Sequence, residues 1–366
     1  MSRQKVNIRD TDGQDADGQD ADGQDADGQD ADGQDADSQD ADGQDTNGQD
    51  TDVQSLESSD SGSDGYYFSE DSDLDFSRHL DEEVVEISNQ AFLSIGRSFS
   101  WILSQINGKD GKPHFDFSVK ELSNLILCSL YWSKTPVFLP ATLTLLQKQN
   151  QNGSFGDIKD TARAVSCLSV VQKYLSRAGS SSDSSGSDIY FDAAAQKNLQ
   201  TSLQKATDEL ITQKKNWAAG TDDIYDLVYA LAATADAGIF EPDVCLDVCR
   251  RDLLEWKFPG TTALILTALQ KQRELRLFSG AEDLEVSEFI SRKSNWLILE
   301  RRNGFWNSTA TSCLVLLALS RVDNPACVAS LPKLFSIQEK NGSFENDFNK
   351  TCLAVLAQSH MSKFLY

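Results

Sequence analysis

From about residue 82 onward the apolar positions recur at helical spacing. Val85, Phe92, Ile95, Phe99, Ile102 and Ile106 share one face and predict a helix over Glu82–Asn107. The same reading gives helices at Ser118–Tyr131, Pro140–Gln149, Asp160–Leu175, Asp192–Gln213 and Asp222–Ala237. It continues with Pro242–Trp256, Thr261–Gln272, Leu284–Leu299, Ser308–Arg321, Ala326–Gln338 and Asn349–Met361. No stretch shows the strict alternation and hairpin turns of strands. The fold class is therefore all-α, with about twelve helices.

The connections between these helices repeat one another. Gln147–Leu168 reads QKQNQNGSFGDIKDTARAVSCL: a helix ending in glutamine, an Asn-Gly turn, the apolar plug Phe155, and a new helix opening on Asp160-Thr161-Ala162. The pattern returns at Asn303-Gly304-Phe305-Trp306 and at Gln338–Phe344, and in weaker form at Trp101–Phe117, Gln213–Asp226 and Trp256–Leu269. A period of roughly forty residues indicates helix pairs that cannot bury their apolar faces alone. Helices after each corner are apolar on nearly every side, whereas those before it carry Lys, Glu and Gln on one face. Buried and half-solvated helices in alternation predict an inner and an outer layer closed into a double ring.

Charge separates the chain into two parts. Residues 1–90 hold 28 of the 57 acidic and 4 of the 33 basic residues, so they carry the whole net charge of −24, and the rest is neutral. A neutral body has no basic face for nucleic acid, and no partner of that class is expected. Within the acidic part, Asp12–Asp50 is a tandem DADGQ repeat with almost no apolar side chains, which predicts disorder. Its D-x-D-G spacing lacks the further ligands and bidentate Glu of a calcium loop, so a solvated polyanion is expected. The expected domains are an acidic tail with linker over 1–81 and a helical domain over 82–366, with a Ser/Gly-rich surface insertion at Arg177–Asp188.

The N-terminus is polar, no apolar run reaches the roughly 18–20 residues of a membrane span, and several of the seven cysteines fall inside apolar helical patterns. These features predict reduced thiols in a cytoplasmic protein. The three histidines do not stand at ligand spacing. Cys245 and Cys249 share a helix face without a second ligand pair, so neither a metal nor a cofactor is expected.

The corners Gln147-x5-Gly153-Ser154-Phe155 and Gln338-x3-Gly342-Ser343-Phe344 resemble the Q-x(2–5)-G-x-W/F repeats of squalene–hopene and oxidosqualene cyclases, a group that includes protein prenyltransferase β-subunits. The resemblance covers most of residues 90–366. It implies an α/α toroid of six inner and six outer helices, a single such domain, and an apolar isoprenoid or protein ligand. In the cyclases a D-x-D-D-T-A stretch opens an inner helix and its middle aspartate is the proton donor. The matching stretch here is Asp157-Ile158-Lys159-Asp160-Thr161-Ala162, with Lys159 at the donor position. A lysine, with an ordinary pKa of about 10.4, is a poor acid for an alkene. The equivalent corner Gly220-Thr221-Asp222-Asp223 places Asp222 at the donor position with Asp223 beside it.

Asp222, Asp223, Asp157 and Asp160 are therefore the candidate catalytic residues, and helix capping is the structural alternative for all four. Trp217, Tyr225, Tyr229, Trp256, Phe305 and Trp306 are the candidate cavity aromatics, which would stabilise carbocations through cation–π contacts or act as structural plugs. Three functions follow: a toroid that binds an apolar ligand with a degenerate motif, an isoprenoid cyclase using Asp222 as general acid, and a scaffold that engages a protein through its rim or acidic tail.

Overall fold

The structure is a computed structural model that describes residues 71–108, 113–132, 137–178, 191–220, 223–251, 254–322, 325–361 and 364. Side chains in the first helix are described from Val84 on. The acidic tail up to residue 70, most of the Ser/Gly-rich insertion and Asp222 lie outside the described residues.

The described residues form thirteen α-helices and no strand. They are α1 (Asp71–Ile106), α2 (Val119–Tyr131), α3 (Phe138–Gln147), α4 (Ile158–Ala178), α5 (Ala193–Thr212), α6 (Lys214–Trp217) and α7 (Ile224–Asp236). Then follow α8 (Pro242–Arg250), α9 (Pro259–Glu274), α10 (Gly280–Leu299), α11 (Thr309–Arg321), α12 (Leu331–Ser336) and α13 (Phe348–Met361). Most match the periodicity to within four residues. Three differ. The first helix begins at Asp71, eleven residues early. The helix expected over Pro242–Trp256 stops at Arg250, because Arg251 turns extended and sends its guanidinium to the Ala219 carbonyl. The helix expected over Ala326–Gln338 is a 3-10 turn followed by α12, which has Pro332 near its start.

Local chemistry explains several starts. Ser118 and Glu121 form a reciprocal capping box before α2, and Ser279 and Glu282 form another before α10. Asp192 caps α5 through the Ala195 amide at 2.6 Å.

Six helices form a cycle of contacts. α2 packs on α4, α4 on α7, α7 on α9, α9 on α11, α11 on α13, and α13 again on α2. The other helices attach to members of this cycle, among them α3 to α2, α5 to α4, α10 to α9 and α1 to α13. N-terminal halves meet N-terminal halves: Lys159 of α4 reaches Asp223 at the start of α7, and Asn124 of α2 bonds Asn349 of α13 at 3.0 Å. Last turns meet last turns, as where Lys173 donates to the Asp236 carbonyl at 2.8 Å. Neighbours in the cycle therefore run parallel, with their N-termini at a common end.

Candidate functional site

The corners are built from backbone groups that a glutamine and a glycine pin to a third helix, neither the one before the corner nor the one after it. After α3, Gln149 donates its Nε2 to the Gly153 carbonyl at 2.9 Å and to the Ser202 carbonyl of α5 at 2.8 Å. Gly153 has φ +98°, and a Cβ there would lie 2.5 Å from the Lys205 carbonyl oxygen, so only glycine fits. After α12 the same device recurs. Gln338 donates to the Gly342 carbonyl at 3.0 Å and the Ser94 carbonyl of α1 at 2.9 Å, and a Cβ on Gly342 would lie 2.3 Å from the Arg97 carbonyl oxygen. The glutamine that matches Gln338 is therefore Gln149; Gln147 is the exposed last residue of α3.

Each corner plug is held by a hydroxyl from the helix that follows. The Phe155 amide donates to Thr161 Oγ1 and the Phe344 amide to Thr351 Oγ1, both at 3.0 Å. The Trp306 amide donates to Ser312 Oγ at 3.0 Å, and Thr262 Oγ1 donates to the Trp256 carbonyl at 2.6 Å. These four hydroxyls escaped the sequence reading. Their signal was a Ser or Thr six or seven residues after each corner aromatic.

The candidate acids stand at the N-terminal end of the cycle. Asp157 Oδ1 accepts the Asp160 amide at 2.7 Å, which is a helix cap. Asp160 is in an ion pair with Arg163 at 2.9 Å, and the Arg163 guanidinium lies 4.4 Å from the centre of the Tyr229 ring on α7. Asp223 accepts the Tyr225 amide at 2.7 Å and the Lys159 ammonium at 2.8 Å. Partial burial of Asp223 opposes its ionisation. The Lys159 and Tyr225 hydrogen bonds outweigh that and hold its carboxyl below the usual range. Asp223 in turn raises the pKa of Lys159, chiefly by hydrogen bonding, so the ammonium at the donor position holds its proton more tightly still. The three described acids thus serve as caps and ion-pair partners.

Trp217, Trp256 and Trp306 are almost wholly buried. Trp217 and Trp306 turn their indole N–H groups back to the Leu210 and Leu297 carbonyls, at 2.9 and 2.6 Å, and Trp256 meets Phe289 edge-on. Tyr225 is exposed at the rim, with its hydroxyl 3.4 Å from Thr261 Oγ1 on α9. Tyr229 and Phe305 are half-buried.

A feature shared by the six helices of the cycle is one narrow half-buried stripe along their otherwise buried middle turns. It runs through Asn124, Leu127 and Leu130 on α2, Arg163, Ser166 and Val170 on α4, and Tyr229, Ala232 and Asp236 on α7. It continues through Gly260, Leu264 and Thr267 on α9, Leu314, Leu317 and Arg321 on α11, and Lys350 and Leu353 on α13. The stripe is polar at both ends and mainly aliphatic between. At the C-terminal end, Lys271 and Asp236 join α9 to α7, Arg321 and Glu274 join α11 to α9 at 2.9 Å, and the His360 ring lies tilted against Tyr131 with ring centres 4.7 Å apart. Tyr131 is 49% exposed, yet surrounding protein pushes its phenol pKa up, with Arg321 counteracting and Asp236 adding to the rise. Tyr131 of α2 thus lies near Arg321 of α11 and Asp236 of α7, and solvent still reaches it.

Among the described residues no group of three His, Cys, Asp or Glu side chains is placed to hold a metal. None of the seven cysteines forms a disulfide. Burial pushes the thiols of the Cys245–Cys249 pair up, that of Cys249 to about 12, so both stay protonated and are weak metal ligands at neutral pH. Among the described residues no helix is long and apolar enough to cross a membrane. No protein-family model and no curated protein matches this chain.

Proposed function

We infer that residues 82–366 form an α/α toroid resembling the terpenoid cyclase and prenyltransferase group, and that its axial lumen binds an elongated apolar ligand without protonating it. The observation that supports this most is the half-buried stripe. A parallel helix that packs on two neighbours and one outer helix has a single face left, and on five of the six that face carries a Leu or Val, with Ser166 beside Val170 on α4 and Ala232 on α7. Leu127, Val170, Leu264, Leu314, Leu317 and Leu353 offer dispersion and apolar area to a hydrocarbon chain. They offer no π-faces to a carbocation, the three tryptophans plug corners, and the aromatic on the stripe, Tyr229, already faces the Arg163 guanidinium. The acids near the donor position are ionised or capping, which favours holding a ligand over transforming it.

The test is mass spectrometry of apolar extracts after the full chain is incubated with squalene and with farnesol. Unchanged linear compound co-purifying with the protein is the expected result. A cyclised product lost in Asp222→Asn would replace this reading with an isoprenoid cyclase.

A further inference from the structure

The strongest unassigned surface is the outer face of α1. Val85, Phe92 and Leu93 there are 58, 61 and 62% exposed, although this helix buries Ile87, Ala91, Ile95, Phe99 and Ile102 on its opposite face. Phe92 leans on Trp132, itself half-buried, with ring centres 5.5 Å apart, so the patch extends onto the end of α2. Helical spacing arranges the exposed face into three rows. Leu93 forms the crest with Asn89, Gly96 and Ser100. Val85 and Phe92 form one flank. Glu86 and Arg97 form the other, both exposed. A Cβ added to Gly96 would meet nothing within 4 Å, so the crest leaves room for another backbone to approach.

The charge pattern selects the occupant. Glu86 and Arg97 lie on the same flank, about 16 Å apart along the axis at 1.5 Å per residue. The midpoint of that interval falls at Ala91–Phe92, beside the apolar residues. When two helices pack antiparallel about a two-fold axis, like flanks face each other and the sequence runs in opposite directions. With the axis at Ala91–Phe92, Glu86 of each copy meets Arg97 of the other, and the two Phe92 rings meet on the opposite flank. One ion pair thus becomes two by symmetry, as an isologous interface requires. In a parallel two-fold arrangement unlike flanks face each other, so the Glu86–Arg97 flank would lie against the Val85–Phe92 flank and neither ion pair would form.

We propose that this chain forms a homodimer through antiparallel α1–α1 packing, with Phe92 and Leu93 at its centre and reciprocal Glu86–Arg97 pairs at its edge. The net charge of −24 opposes association at low ionic strength, so the interface shows best near physiological salt, where charges beyond about 8 Å are screened.

The test is sedimentation velocity and light scattering on the full chain in 0.15 M salt, with circular dichroism melts as a folding control. The wild-type chain is expected to be dimeric at about 10 µM. Glu86→Arg alone and Arg97→Glu alone each place like charges together at both edges and should weaken the dimer at least tenfold. The double variant Glu86→Arg/Arg97→Glu restores the pairing and should recover it. Phe92→Ser with Leu93→Ser should give monomer with an unchanged melt. A wild-type monomer at 100 µM, a dimer indifferent to the single reversals, or a double reversal that fails to recover it would each overturn the proposal.

Discussion

Gln358 offers a sharp test of how the repeated helices pack. In four of the six helices of the cycle a hydroxyl anchors the corner: Thr161, Thr262, Ser312 and Thr351. Seven residues later, two turns along, the chain places Leu168, Leu269, Leu319 and Gln358, each fully buried. Three repeats put a leucine at this core position and the last puts a carboxamide, and neither amide atom of Gln358 has a bonding partner among the described residues. A buried polar group left without a partner costs about 1–3 kcal/mol. Leucine has similar bulk and removes that cost, while methionine keeps the unbranched shape of glutamine.

Gln358→Leu and Gln358→Met should therefore stabilise the fold by about 1–3 kcal/mol. With a urea slope on the order of 3 kcal/mol/M, the midpoint rises about 0.3–1 M at unchanged slope. The reciprocal change Leu168→Gln creates the same unpaired amide where none exists and should lower the midpoint by at least as much. If both Gln358 variants leave the midpoint unchanged or lower it, the packing equivalence of the four positions is wrong.

The remaining predictions concern the corners and the rim. Gly342→Ala and Gly153→Ala drive a Cβ into the Arg97 and Lys205 carbonyls at a positive φ, and each should cost more than about 2 kcal/mol in the same urea assay. Thr351→Val keeps the volume but orphans the Phe344 amide and should cost about 1–3 kcal/mol, whereas Thr351→Ser should cost less. Asp223→Asn tests the Lys159 pair. Because the Asp223 pKa is depressed by folding, its contribution is present above the ordinary carboxylate pKa of about 4 and lost as pH falls through the folded value. Because the Lys159 pKa is raised, its contribution is full below about 10.4 and lost as pH rises through its folded value. The melting difference between wild type and Asp223→Asn should thus be level from about pH 5 to 9 and shrink at both extremes. A difference that persists at pH 2 would contradict the pairing.

Much of the helical order was legible because its signals are local. Apolar spacing and Asn-Gly turns set most helix ends, and at Asn303-Gly304 both residues take the positive φ that this dipeptide tolerates. At Asn152-Gly153 only the glycine does, because the asparagine side chain instead accepts the Ser154 amide. What could not be read was which partner each side chain finds. Nothing near Gln149 announces the Ser202 carbonyl, and Lys159 meets Asp223 only because their helices neighbour each other in the cycle. Side-chain type also fails to say which way an aromatic points. The tryptophans of the corners and Tyr229 looked alike as lining candidates, yet the tryptophans fill the core and Tyr229 lies on the half-buried stripe beneath Arg163.

The most direct measurement of the central claim is ligand retention by a chain whose proposed lumen has been filled. Leu264→Trp with Leu314→Trp places two indoles on the stripe, while Leu277→Trp places one at an exposed position and serves as control. Farnesol should bind the wild type and the control saturably and co-purify unchanged with both. The double variant should melt within a few degrees of wild type and retain nothing. Equal retention by all three proteins would place the ligand elsewhere and contradict the account.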